Sequence, residues 1–401
     1  MPSRPSERTI VFLVGAIQFV NILDFMMVMP LGPDFAKGLG IATSQIGTIG
    51  GSYTAAAAVS GIAGSFFLDR FDRRIALAVA MLGLCIGTAL GAFATGLGTL
   101  IAARVVAGMF GGPATSLSFS VIADVIPVER RGKAMGAVMG AFAAASVLGL
   151  PLGLELARQG GWRLPFLAVA CLGLCIAAAA VWTLPPLNLH IEARKTLPDP
   201  GLAPLLRNPL VLLSCLTAAV VMAGSFIVIP NISTFVQHNL GFPRKNLGFL
   251  YLFGGIVSFF VTRLGGRLCD RFGPARVGTV GAVLLIAVVY TAFGSEPVPL
   301  PVLALFPFFF LAMGLRNVAY QTLTSMVPQP QERARFMSLQ SAVAHMASAA
   351  GAFTSSQLLV ELPDLRLEGM PKVAAVSMTL TALVPLLLHR VQAGVRAPKP
   401  Q

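Results

Sequence analysis

Apolar residues fall in long blocks along this chain, and short polar stretches separate them. A helix that crosses a bilayer needs about 20 mostly apolar residues. Twelve blocks reach that length. They cover 10–30, 45–68, 75–95, 100–123, 134–156 and 163–184 in the first half, then 209–235, 246–268, 276–294, 299–323, 336–360 and 371–389 in the second. Each is predicted as a helix. Most are apolar on every side, so periodicity alone does not say which face lines an interior. Between the halves runs Pro185–Asn208, rich in Pro and in charge (His190, Glu192, Arg194, Lys195, Asp199). The pattern predicts an all-α membrane protein of twelve transmembrane helices in two pseudo-symmetric six-helix bundles. Residues 1–184 form the first bundle, 185–208 a cytoplasmic linker, and 209–401 the second bundle with a short tail.

The halves also repeat in detail. The string SFFLDRFDRR (Ser65 to Arg74) returns as GRLCDRFGPAR (Gly266 to Arg276), half a chain later. Tyr53 and Ser60 match Tyr251 and Ser258 at the same spacing, and ERRGKAM from Glu129 resembles QERARFM from Gln331. A repeat on this scale indicates two similar membrane halves joined head to tail, as in transporters built from parallel repeats.

Composition sharpens the class. Hydrophobic residues make up 56% of the chain and charged residues 11%, against about 25% charged in soluble proteins. The 41 Gly residues suit closely packed membrane helices. The formal net charge of +13 would fit a nucleic-acid binder, but the placement of the charges argues otherwise. Seven Lys and Arg residues fall in one set of loops (Lys37, Arg158, Arg163, Arg244, Lys245, Arg366, Lys372) and two inside blocks (Arg104, Arg316). The other 20 of the 29 lie on the side of the termini. That excess places both termini in the cytoplasm and accounts for the net charge without nucleic acid. The basic start, Arg4 and Arg8, runs directly into the first block, which reads as a retained span and not a signal peptide. The five Cys show no metal-ligand spacing, so neither a disulfide framework, a metal site nor a cofactor is expected. No GxxxxGK[ST], HExxH or GxSxG motif occurs, which argues against an ATP-driven pump and against an enzyme.

On these residues the chain resembles major facilitator superfamily transporters over essentially its whole length, and bacterial twelve-helix drug:proton antiporters most of all. The loop signature G-x-L-x-D-R-x-G-R-R is matched in the second copy at Gly266, Leu268, Asp270, Arg271 and Gly273. The first copy keeps Asp69, Arg70, Arg73 and Arg74 but carries Asp72 in place of the second Gly. Arg104 and Gly108 fit the Arg-x-x-x-Gly of the fourth helix. Gly149, Pro151 and Gly153 fit the helix bend of the fifth, without its adjacent Gly-Pro pair. The resemblance implies gating by Asp69, Arg70, Arg73, Asp124, Arg131, Asp270 and Arg271, with loop carboxylates bonding to a helix N-terminus of the other half. It also implies a monomer and a bacterial inner membrane.

Asp24 is the one carboxylate well inside an apolar block. An ionisable group in a span is costly unless paired or hydrated, so it marks function by default. It lies six residues before Pro30, about 9 Å along a helix axis, and Arg104 lies at a matching depth in the fourth block. Asp24 and Arg104 are expected to interact and, with His345, to couple transport to protons. Ser225 stands where Asp24 would map in the second half, and no acid accompanies Arg316. The substrate site is expected among Gln18, Asn21, Asp24, Asn231, Arg316, Asn317, Tyr320, Gln321, Gln340 and His345. The leading reading is a secondary active exporter, proton-coupled, for small organic molecules. The alternatives are an organic-anion carrier using Arg316 and Arg104, and a non-transporting membrane sensor.

Overall fold

In lipid a backbone must satisfy its own hydrogen bonds, which long apolar blocks achieve as helices. The computed structural model describes residues 6–187, 203–295, 300–328 and 333–396, and a long helical run occupies each of the twelve blocks. In the first half these are α1 (Glu7–Met27), α3 (Ile46–Phe67), α4 (Arg73–Ala92), α5 (Leu97–Val125), α6 with α7 (Val128–Ala144, Leu150–Gly160) and α8 (Arg163–Thr183), with a short α2 (Gly32–Leu39) after the first. After a one-turn α9 (Ala203–Arg207) come α10 (Pro209–Phe226), α11 (Leu247–Phe272), α12 (Pro274–Val289), α13 (Val302–Thr324), α14 (Arg333–Leu358) and α15 (Met370–Arg396). Ten of the runs are long and apolar enough to cross a membrane. The helices α3 and α14, of 22 and 26 residues, stand outside those ten. Most of the linker, 188–202, lies outside the described residues.

Local chemistry explains where helices start, bend and stop. The first begins at Glu7, earlier than its apolar block, because Ser6 caps it by accepting from the Thr9 N–H. Pro151 cannot donate a backbone hydrogen bond and crowds the preceding turn. The chain answers with a π-helical turn at Ala145–Gly149 that separates α6 from α7. Pro230 has the same effect after α10. A 3₁₀ turn at Ile229–Asn231 and a π turn at Phe235–Asn239 carry the chain onward. One element has no counterpart in the expected pattern. Val360–Glu361 (β1) and Leu367–Glu368 (β2) pair antiparallel, and the Asn239 side chain bonds both the N–H and the C=O of Leu367.

The repeated loop string is built two ways. In the first copy Asp72 caps α4: its Oδ1 accepts from Arg74 N at 2.8 Å and from Leu187 N at 3.2 Å. In the second copy Gly273 takes the same place with φ +89, and the Gln392 side chain of α15 accepts from Ala275 N at 3.0 Å. Asp72 is thus no defect in the pattern. A side-chain cap replaces a left-handed glycine.

Two compact units emerge from the packing. One takes Met1–Ile41 and Ser52–Asp199, the other Ala42–Gly51 and Pro200–Gln401. Within the first, α4 packs on α5 and α8, and α1 packs on α5, α6 and α8. Within the second, α12 packs on α13 and α15, and α10 packs on α14 and α15. Four pairings recur between the units: α4–α5 as α12–α13, α4–α8 as α12–α15, α1–α6 as α10–α14 and α1–α8 as α10–α15. Ala42–Gly51, early in the sequence, belongs to the second unit. There Thr43 donates to Glu361 from both its N–H and its hydroxyl, and Thr48 N donates to Ser356 at 2.9 Å.

Candidate functional site

The first unit holds a buried polar cluster around α1. Asp24 and Arg104 are both 0% exposed. They form a two-pronged ion pair, Nη1 to Oδ1 at 3.0 Å and Nη2 to Oδ2 at 2.7 Å. Two parallel charge-assisted hydrogen bonds are the strongest arrangement open to this pair. Thr88 of α4 adds a third donor to Asp24 Oδ1 at 2.7 Å. Beside Thr88, α4 and α5 approach backbone to backbone at Gly87, where a Cβ would lie 2.4 Å from Ala107 N. The Arg104 guanidinium lies over the Tyr53 ring, 4.7 Å from its centroid, a favourable cation–π placement. Its Nε has no hydrogen-bond partner among the described residues.

The network continues along α1. Tyr53 donates to Asn21 Oδ1 at 2.7 Å, and Asn21 Nδ2 donates to Gly111 O at 2.9 Å and to Thr115 Oγ1 at 2.8 Å. Gly111 is required by this contact, since a Cβ there would sit 2.2 Å from the Tyr53 hydroxyl. Gln18, one turn before Asn21 and Thr115's other neighbour, is also buried. Asp24, Arg104, Asn21 and Gln18 therefore come together as expected. Thr88 was not among the expected residues, and Tyr53 stood out only as a repeat marker. Its match Tyr251, hydrogen-bonded to Ser233 at 2.7 Å, was the one signal that could have found it.

The second unit holds Arg316, also 0% exposed. Its Nη2 donates to Ser225 Oγ at 2.5 Å and to Asn317 Oδ1 at 3.1 Å. Ser225 thus meets Arg316 as Asp24 meets Arg104, with a neutral hydroxyl in place of the carboxylate. Arg316 Nε and Nη1 find no partner among the described residues. Other expected residues make their own contacts. Asn231 donates to Ser355 at 2.8 Å, and Gln340 to Thr324 at 2.9 Å. Tyr320 packs in an apolar cluster with Ala218, Val221 and Ala282, where α13 meets α10 and α12. Gln321 is exposed, and His345 is half-buried on α14 and bonds none of these groups.

Among the expected gating residues, Arg73 pairs with Asp124, Arg70 is exposed, and Asp270 is exposed beside Arg271, whose guanidinium stacks on Phe272. The side chains of Asp69 and Arg131 lie outside the described residues. Gly149 and Pro151 mark the π turn, whereas Gly153 opens onto free space within α7.

Proteins of similar sequence and fold are transporters. The chain is 27% identical over 389 residues to the purine ribonucleoside efflux pump NepI of Escherichia coli (strain K12), covering 95% of this chain and 94% of that protein. It is 28% identical over 286 residues to a chloramphenicol resistance protein of Streptomyces lividans, covering 68% and 69% respectively. Among solved structures, a bacterial homologue of the human lysosomal transporter Spinster superposes with a TM-score of 0.76 at 18% identity, covering 99% of this chain and 100% of that one. A D-xylose–proton symporter superposes with a TM-score of 0.75 at 17% identity, covering 95% and 96%. The family model of the Major Facilitator Superfamily matches residues 14–352, and the chain belongs to that superfamily of membrane transporters.

Proposed function

We propose that this transporter exports small organic molecules against a proton gradient, and that Asp24 is the group that exchanges the proton. The observation that carries the reading is the buried Asp24–Arg104–Thr88 cluster within helices of membrane length. A proton placed on Asp24 cancels the charge that Arg104 is paired with. The guanidinium then keeps the Tyr53 ring and one bond to the remaining carbonyl oxygen, but loses the second hydrogen bond and the opposite charge. A second conformation that hydrates Arg104 or offers it another acceptor is favoured by that amount. Protonation and the alternation between states are therefore linked, as alternating access requires. The efflux and resistance roles named for the similar proteins support export as the direction. In this reading twelve helices span a bacterial inner membrane, both termini are cytoplasmic, and the protein acts as a monomer.

The test is flux in proteoliposomes under an imposed pH gradient. Asp24→Asn should abolish gradient-driven flux while leaving substrate exchange at equal pH measurable. Undiminished driven flux would overturn the assignment.

One observation favours a second reading. Arg316 is buried with two donor nitrogens unpartnered among the described residues, which suits an anionic group on the substrate. An organic-anion carrier of this kind should lose transport of anionic compounds in Arg316→Ala and keep that of cationic ones. Equal losses for both would remove this reading.

A further inference from the structure

A second polar site lies wholly within the second unit. The end of α11, the start of α12 and the ends of α13 and α15 border an open cavity of ≈ 730 Å³. Arg271, Arg276 and Arg396 line it, against a single carboxylate, Asp270. Arg276 and Arg396 make no ion pair, hydrogen bond or ring contact with any described residue, and Asp270 makes no ion pair with one. Cavities of this size hold small molecules, and this one carries two positive charges in excess. Arg also matches the oxygens of a phosphate two at a time, which Lys cannot do. The apolar part of the lining matters equally. Phe272 is 48% and Met326 53% exposed, and both border the cavity. All four contributing helices are of membrane-crossing length and hydropathy, and the cavity sits at their ends. That is the level at which headgroups meet hydrocarbon.

We propose that this cavity binds the phosphate headgroup of an anionic phospholipid, with Arg276 and Arg396 on the phosphate and Phe272 and Met326 against the start of the acyl chains. The site goes beyond the transport reading and does not depend on Asp24. Bound lipid would tie the end of α15 to the α11–α12 turn, where Gln392 already caps Ala275.

The experiment uses the full-length protein in nanodiscs of phosphatidylcholine, with and without phosphatidylglycerol. Thermal unfolding and native mass spectrometry give the readouts. Phosphatidylglycerol should raise the unfolding midpoint and remain bound in native spectra. Arg276→Gln and Arg396→Gln should each weaken retention about fivefold, from roughly 1 kcal/mol per Arg near a membrane surface. Arg276→Lys should restore part of the effect, and Lys245→Gln, at the other end of α11, should change nothing. Retention unchanged in the double variant Arg276→Gln/Arg396→Gln would overturn the proposal, as would a loss equal in Lys245→Gln. Inorganic phosphate added to phosphatidylcholine nanodiscs separates the remaining source. Stabilisation by phosphate alone, with none from phosphatidylglycerol, would also overturn the assignment to lipid. If a variant fails to fold, cross-linking of the wild type with a headgroup-photoreactive phosphatidylglycerol decides. Labels confined to 269–276 and 389–396 support the site, and labels elsewhere remove it.

Discussion

Asp24→Asn changes one atom's chemistry at a position with no exposed surface. Asp24 accepts three hydrogen bonds, two from Arg104 and one from Thr88. An Asn side chain keeps one oxygen, enough for Thr88 and one guanidinium nitrogen. Its NH₂ then faces the second guanidinium nitrogen across the 2.7 Å now spanned by a hydrogen bond, donor against donor. Arg104 remains buried and charged without a counter-ion. Breaking a buried pair from one side costs about 3–5 kcal/mol. Removing both charges, in Asp24→Asn/Arg104→Gln, relieves the uncompensated charge, so the double variant should be more stable than the sum of the singles predicts. A coupling of roughly 1–3 kcal/mol is expected for groups in direct contact. The assay is a double-mutant cycle on reversible unfolding of the purified protein in detergent. Additive losses, or an Asp24→Asn variant as stable as the wild type, would refute the reasoning, because the pair would then contribute no mutual stabilisation.

Other outcomes follow from the same contacts. Thr88→Val keeps the shape but removes a donor to a carboxylate, which should cost about 1.5–3 kcal/mol in the same unfolding assay. Gly111→Ala should displace the Tyr53 ring and cost about 1–3 kcal/mol, with Gly111→Ala/Tyr53→Phe recovering part of the loss in the same measurement. Asp72→Ala should destabilise by about 0.5–2 kcal/mol and Asp72→Gly by only a few tenths, a difference that thermal unfolding resolves. Glu361→Gln keeps an acceptor for the Thr43 hydroxyl, whereas Glu361→Ala leaves two Thr43 donors unmatched. The second should be the less stable by about 1–2 kcal/mol.

The helical runs and the internal repeat were legible because lipid-length apolar blocks leave the backbone few alternatives. The Asp24–Arg104 pair was legible for a related reason. A charge inside such a block is rare enough to stand out, and two at equal depth suggest each other. Thr88 carried no such signal, since a threonine is at home anywhere in a membrane helix and only the fold shows what it faces. For Tyr320 the packing partners were equally silent in the sequence. It follows Arg316 by one turn and is polar in composition, yet its ring packs with Ala218 and Val221. The β1–β2 hairpin has two residues per strand, too few for a period of two to register. Asp72 read as a departure from a glycine pattern until its backbone partners showed it to be a cap.

The central claim is that Asp24 gains and loses a proton during transport, and infrared difference spectroscopy reads that event directly. Spectra of the wild-type protein recorded across a pH series, with and without a transported compound, should contain a carboxylic-acid C=O band that changes on substrate addition. That band should be missing from Asp24→Asn. A substrate-linked band that persists unaltered in Asp24→Asn would place the exchanging proton on another group and contradict the account.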